Sequence, residues 1–296
     1  MERVRIVENL DFSRIIYGMW RLTDDSDTSV AHCTKKISLC LDQGITTFDQ
    51  ADIYGDYKAE EVLGNVLAAD KSIRNKIEII TKCDIIAPCG KFEKETVKHY
   101  DTSAKHIKES VDSSLKNMNI DHIDMLLLHR PDPLIDPDET GSVLDELIES
   151  GKIKTAGVSN FKPWDWSLLE SHMKNSLRAN QIEFSLIQTE ALTNGDLSFH
   201  YQHKTPMMAW SPLGGGKLFN RVGKLAECLS SIAKKYNADV ATVAIAWILN
   251  HPAGILPIVG TNNLSRISKI SKALNIAMDR RTWFELYTAS IGNEVP

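Results

Sequence analysis

The feature that most constrains this chain is a rhythm. Short apolar, β-branched runs recur at Arg14–Tyr17, Thr46–Phe48, Ile77–Thr81, Ile123–Leu128, Lys154–Val158, Ala179–Glu183, Met207–Trp210 and Ile255–Pro257. Helix patterns fill the gaps between them. Val30, Cys33, Ile37, Cys40 and Leu41 share one helical face, and Gly44 stands where a glycine cap belongs. Ile107, Val111, Leu115 and Met118 repeat the stripe, as do Val143, Leu144, Leu147 and Ile148 before Gly151. Two further helices are expected over Leu225–Tyr236 and Ala241–Leu249, and a last one over Leu264–Leu274. The strand runs are continuously apolar rather than alternating, as in a parallel sheet covered by helices on its outer face. Eight such strand–helix alternations within roughly 250 residues predict a (β/α)₈ TIM barrel forming a single domain over residues 1–296. The opening "VRIV…FSRIIYG" adds a short N-terminal β-hairpin. A doubly wound, two-lobed fold fits the alternation less well.

Composition narrows the function classes. A net charge of −5 supplies no basic field for nucleic acid. No apolar run approaches the roughly 20 residues of a membrane span. The start, MERVRIVENL, lacks the apolar core of a secretory leader. The five cysteines have no C-x-x-C spacing, so neither a disulfide framework nor a metal site is indicated. These features predict a soluble cytoplasmic protein with reduced thiols; no pattern specifies an oligomeric state.

Polar residues collect at the ends of the apolar runs: Asp49, Lys82, His129, Ser159 with Asn160, Gln181, and Trp210 with Ser211. In a barrel these carboxyl ends meet at one face, where barrel active sites lie. Taken singly, Asp49 reads as a cap, Tyr54 as a packed ring and His129 as a core histidine. Together they form a chemical set. A phenol with a reference pKa near 10 is a poor acid at neutral pH, and a nearby ammonium stabilises its phenolate. Asp49 is an available partner for Lys82, which is costly in an apolar run unless paired. His129 is placed to steer a substrate oxygen. Such a set suits carbonyl reduction, where the alkoxide formed on hydride arrival needs a proton. A Schiff-base lyase built on Lys82 is an alternative use of the same lysine.

The motifs "FDQADIYG", "IITKC", "LLLHRPDP", "GKIKTAGVSNF", "NQIEFS", "MMAWSPLGGG" and "LPIVGTNNLSRI" resemble, in order and spacing, the aldo-keto reductase family. Within it they are most similar to the bacterial YdhF-like branch of predicted oxidoreductases. The resemblance covers nearly the whole chain. It implies an NADP(H)-dependent oxidoreductase reducing aldehydes or ketones to alcohols, with NADPH as cofactor and NADH as the weaker alternative. It places catalytic roles on Asp49, Tyr54, Lys82 and His129, with Tyr54 as proton donor. Ser159, Asn160 and Gln181 would bind the nicotinamide carboxamide, and Trp210 would stack on its ring. Ser211, Pro212, Leu213, Gly214 and Gly215 would follow the pyrophosphate. Arg266 would grip the 2′-phosphate, assisted by Gly260, Thr261 and Asn262 at a helix N-terminus. Many relatives carry a lysine near Gly260 and an asparagine near Ile270, which this chain lacks. Trp20 and Arg130 join Tyr54 and His129 as substrate-pocket residues, although ion pairing of Arg130 with Asp132 or Asp136 competes with that role. Some family members bind NADPH as regulatory subunits with negligible turnover; the presence of all four catalytic side chains argues for an enzyme. A long polar loop is expected around Lys91–Asp101, and Trp164 and Trp166 are expected to pack a helix. Cys83 reads as a buried, inert thiol rather than a redox sensor.

Overall fold

A computed structural model describes residues 1–296. Eight parallel strands close into a barrel: β1 (Ile16–Gly18), β2 (Thr47–Asp49), β3 (Glu78–Cys83), β4 (Met125–Leu128), β5 (Ala156–Ser159), β6 (Asn180–Glu183), β7 (Met207–Trp210) and β8 (Leu256–Val259). Neighbours in sequence are neighbours in the barrel. The parallel register pairs Gly18 with Asp49, Asp49 with Ile80, and Lys82 with Leu127. All eight expected strands are present, each displaced by at most a few residues from its apolar run. The expected hairpin pairs Arg3–Val7 with Leu10–Ser13.

Nine longer helices carry the chain from strand to strand or close it: α1 (Val30–Leu41), α2 (Ala59–Ala69), α3 (Ala104–Met118), α4 (Pro137–Glu149), α5 (Pro163–Glu170), α6 (Asp196–Gln202), α7 (Lys224–Lys235), α8 (Val240–Leu249) and α9 (Arg280–Ile291). Their starts follow capping chemistry. Ser29, Ser103, Asp136, Asp239 and Asp279 each accept a first-turn N–H. Gly44 sits beyond α1 at φ 76°, the left-handed conformation that makes glycine the natural residue there. No helix is long and apolar enough to cross a membrane.

The chain divides into two compact units, Met1–Asn180 with Gly260–Ser268, and Gln181–Val259 with Lys269–Pro296. In the first, the N-terminal hairpin is tied to the amino ends of β2 and β3. Arg3 pairs with Glu78 at 2.7 Å, and Glu78 also accepts from Thr46 and Thr47 at 2.8 Å each. In the second, α8 is apolar on every side and buried along nearly its whole length. Trp247 and Trp283 stack at 4.9 Å and each indole N–H donates to the other's carbonyl oxygen, at 3.2 and 3.0 Å. That reciprocal pair satisfies two polar groups that would otherwise be stranded in the core.

Three expectations need correction. The stretch expected as one helix over Leu264–Leu274 breaks into a four-residue turn, Leu264–Ile267, and a 3₁₀ segment, Ile270–Asn275. Only Ile267, Ile270 and Ala273 are buried there, a spacing of three that suits the tighter 3₁₀ winding. Trp166 does pack into the core, but Trp164 is 67% exposed. The Lys91–Asp101 region is less irregular than expected. It carries a 3₁₀ turn at Gly90–Phe92 and a short strand, His99–Tyr100, paired with Ile85–Ile86.

Candidate active site

Lys82 organises the site. It lies in the last part of β3, completely buried, where an ammonium is tolerated only with a full set of partners. Its Nζ donates to both carboxylate oxygens of Asp49 at 2.8 and 2.9 Å, to the Gln50 carbonyl at 2.8 Å, and to the Tyr54 hydroxyl at 3.0 Å. The backbone makes this possible. Asp49 closes β2 one strand away, and the Asp52 N–H donates to the Lys82 carbonyl at 3.0 Å, folding the next loop back over β3. A tight turn over Tyr54–Tyr57 then presents the phenol. Gly55 is forced in that turn: its φ is 58°, and a Cβ there would lie 2.2 Å from the Thr23 hydroxyl oxygen.

Burial pushes the Tyr54 hydroxyl well above the ordinary phenol range, and the Asp49 charge adds to that. The phenol is therefore protonated at neutral pH. This revises the expectation of a lowered pKa: desolvation by burial is the larger effect. The 3.0 Å bond from Lys82 nevertheless favours any negative charge that develops on that oxygen. Burial lowers the Lys82 pKa while the Asp49 carboxylate opposes the change.

His129 follows β4, its N–H donating to the Cys83 carbonyl at 3.0 Å. Its ring meets that of Tyr54 edge-on, centroids 6.0 Å apart. Burial, reinforced by the charges of Lys82 and Arg130, holds the imidazole neutral, and its Nδ1 is buried without a hydrogen-bond partner. The four side chains expected together are together.

The expected rim residues lie at the ends of further strands. Ser159 closes β5, and Asn160, at φ 61°, donates to the Ser159 hydroxyl at 2.9 Å. Gln181 is buried in β6, and Trp210 closes β7 half-buried. After Trp210 the backbone turns through positive φ at Ser211, Gly214, Gly215 and Gly216. The Gly214 N–H donates to the Ser211 carbonyl at 2.7 Å, with Pro212 and Leu213 inside that turn. Gly260 and Thr261 follow β8, and the Tyr17 hydroxyl donates to the Thr261 carbonyl at 2.7 Å. Arg266 is exposed. The helix expected to draw an anion there has only four residues, and Asn263 already accepts its Arg266 N–H at 3.0 Å. The guanidinium, not a helix dipole, is thus the anion-attracting feature of this segment.

The Aldo/keto reductase family model matches residues 14–288. The chain belongs to the aldo/keto reductase family. A relative named 6-dehydroglucose reductase, from Agrobacterium fabrum (strain C58), is 56% identical over 296 residues, covering all of both chains. The Escherichia coli (strain K12) protein Oxidoreductase YdhF is 38% identical over 300 residues, again covering both fully. An aldo-keto reductase from Klebsiella pneumoniae, solved in complex with NADPH, superposes with a TM-score of 0.80 at 24% identity, covering 100% of this chain and 96% of that one.

Within this family member, three further side chains bear on the expectations, and one of them departs. Arg130 pairs with neither Asp132 nor Asp136. Its guanidinium donates to the His129 carbonyl at 2.7 Å, because Asp132 accepts from Thr102 at 2.9 Å and Asp136 caps α4. Trp20 is 55% exposed, with the Arg21 guanidinium 5.1 Å above its ring. Cys83 is buried and its thiol is pushed well up by burial, consistent with an inert residue.

Sequence reasoning missed two buried acids beside Lys82. Asp84 has φ 97°, an unusual value for a non-glycine residue, and its carboxylate accepts the Arg130 N–H at 3.0 Å. It thereby pins the turn that carries His129. Asp52 is buried, and its pKa is pushed up to about 8 by burial and by Glu60. Asp52 stands three residues after Asp49 in "DQAD", a position that reads as loop unless the loop folds inward.

Proposed function

We propose that this protein is an NADP(H)-dependent reductase of aldehyde or ketone carbonyls, with Tyr54 as the proton donor. The observation that carries the reading is the Lys82 ammonium held at once by both Asp49 oxygens and the Tyr54 hydroxyl. Bound NADPH supplies the hydride to the carbonyl carbon. Tyr54 gives its proton to the carbonyl oxygen as charge builds there. The electron pair left on the phenolic oxygen is stabilised by the adjacent ammonium, which Asp49 keeps charged and oriented. His129, held neutral, donates a hydrogen bond to the same oxygen and fixes its approach. Positioned proton transfer of this kind contributes about 10²–10⁴ in rate.

The donor set fits the dinucleotide. Ser159, Asn160 and Gln181 offer both donors and acceptors to a carboxamide, and the half-buried Trp210 ring offers a face for stacking. The positive-φ glycines after Ser211 allow close approach to a pyrophosphate. Arg266 carries an exposed planar fork suited to the 2′-phosphate that distinguishes NADPH from NADH. Glycine-rich though it is, "SPLGGGK" lacks the Rossmann spacing, in keeping with a barrel rather than a Rossmann domain.

The Agrobacterium relative's name suggests the substrate class: a hexose oxidised to an aldehyde at C6. A Schiff-base role for Lys82 is disfavoured by its four existing contacts and its complete burial. The deciding experiment is titration with NADPH and NADH by fluorescence quenching, followed by NADPH oxidation across a carbonyl panel that includes 6-dehydroglucose. Tight NADPH binding with turnover is the expected result. Binding without turnover of any carbonyl would favour a cofactor-sensing subunit, and a covalent adduct trapped by borohydride would favour the lyase.

A further inference from the structure

Lys36 is a second buried lysine, and the chemistry above does not use it. It lies on α1 with its side chain 1% exposed. Its ammonium donates to the carboxylate of Asp25 and to the Asn262 amide oxygen, the latter at 3.0 Å. The other end of the Asn262 amide, Nδ2, donates to the Arg21 carbonyl at 2.6 Å. The amide orientation is fixed by its partners, since an ammonium can only donate and a carbonyl can only accept. The bonds form a circuit, Arg21–Asn262–Lys36–Asp25, which spans the loop that begins at Trp20 and ends at Asp25. His32 reinforces it, with Nε2 3.2 Å from Asp25.

We infer that Asn262 and Lys36 are positioning residues that lock the Trp20–Asp25 loop, whose Trp20 the sequence places in the substrate pocket, to the Gly260–Arg266 segment read as receiving the phosphate end of the cofactor. The inference rests on the cofactor reading given above. Three observations carry it. The loop leaves the catalytic corner directly, because the Met19 N–H donates to the Asp49 carbonyl at 2.9 Å. Two of its polar groups run to one linked pair of side chains, the Arg21 carbonyl to Asn262 and the Asp25 carboxylate to Lys36. A buried ammonium is also an expensive way to pack a helix, since an apolar side chain of similar volume is often at least as stabilising. What Lys36 adds over such a residue is direction. It fixes the distance between two segments separated by more than two hundred residues of chain.

Coupling of this kind is reciprocal: a cofactor that orders Gly260–Arg266 orders the loop, and substrate held by the loop tightens the cofactor. The test is hydrogen exchange of residues 19–25 with and without saturating NADPH, in the wild type, Asn262→Ala and Asn262→Asp. NADPH should slow exchange in this loop in the wild type and fail to do so in either variant, although both still bind NADPH by fluorescence quenching. Asn262→Asp retains the acceptor for Lys36 but puts an oxygen against the Arg21 carbonyl. It should therefore lose the Arg21 tether as Asn262→Ala does, while its added negative charge beside the phosphate end weakens NADPH further than Asn262→Ala does. The carbonyl KM should rise about tenfold in both, the size of one lost hydrogen bond, and by more than kcat falls. Lys36→Met should behave like Asn262→Ala. If it misfolds, the half-exposed Asn262 variants still decide the question. Loop protection that persists in both Asn262 variants would overturn the inference, as would its absence in the wild type at saturating NADPH. Failure of the wild type to bind NADPH at all would remove the cofactor reading itself, and the coupling with it.

Discussion

The corner around Lys82 and the rim that runs from Trp20 to Arg266 are built on opposite terms. In the corner, the central charge is fully partnered: the ammonium of Lys82 is enclosed by Asp49, Gln50 and Tyr54 with no exposed surface of its own. On the rim, Arg266 and Trp20 stand exposed. The corner must act within one chemical step, so its geometry is fixed during folding. On the proposed reading the rim admits and releases ligands, and the exposed Arg266 guanidinium is the cation left for one. Substitutions in the corner should therefore cost stability and rate together, and those on the rim should cost affinity alone.

The largest effect should come from Lys82→Met. Removing one half of a buried ion pair strands the Asp49 carboxylate, at about 3–5 kcal/mol of stability. Turnover should fall by about 10³ or more, since both the tuning and the orientation of Tyr54 go with it. Denaturant melts and NADPH oxidation read the two losses separately. The double variant Asp49→Asn/Lys82→Met should regain most of the stability and none of the rate. Equal recovery of both would mean that the pair serves the fold only, and the contrast with the rim would vanish.

Arg266→Ala should leave the melt unchanged and raise the NADPH dissociation constant by about 10- to 100-fold, the range for a lost charge-assisted contact. NADH binding should change far less. Equal losses for the two cofactors would mean that the 2′-phosphate is held elsewhere.

The smallest effect concerns a misfit inside the corner. Asp52 has a folded-state pKa raised to about 8. The folded protein thus keeps a proton that the unfolded chain gives up above its own pKa of about 4. Wild-type stability is accordingly lost as pH rises between those two values. Asp52→Asn cannot ionise, so its advantage over the wild type should grow from near zero at pH 4 to a few kcal/mol at pH 8. Thermal melts across that range check it, and a difference that does not change with pH would refute the assignment.

Legibility in the sequence followed the same division. The barrel was readable because β-branched apolar runs bounded by helical stripes have few other uses, and all eight runs became strands. The cluster around Lys82 was readable because Asp49, Lys82 and His129 each interrupt or end such a run, where a polar residue needs a reason. Burial that depends on distant partners was not readable. Lys36 sits in a helical stripe like any solvent-facing lysine, and only Asp25 and Asn262, brought in by the fold, explain why it is inside. The ion pair weighed for Arg130 did not form because its nearest acids in sequence were already committed, Asp132 to Thr102 and Asp136 to a helix cap. The helix expected over Leu264–Leu274 failed because an apolar spacing of three reads equally as α or 3₁₀ until the chain's path is known.

The most direct measurement is of Tyr54→Phe, which deletes one oxygen atom and keeps the ring. NADPH binding by fluorescence quenching and NADPH oxidation with the best carbonyl of the panel should be followed on the same preparation. The account predicts a quenching curve like that of the wild type and turnover reduced by about 10² or more. Turnover that survives the loss of that hydroxyl would contradict it.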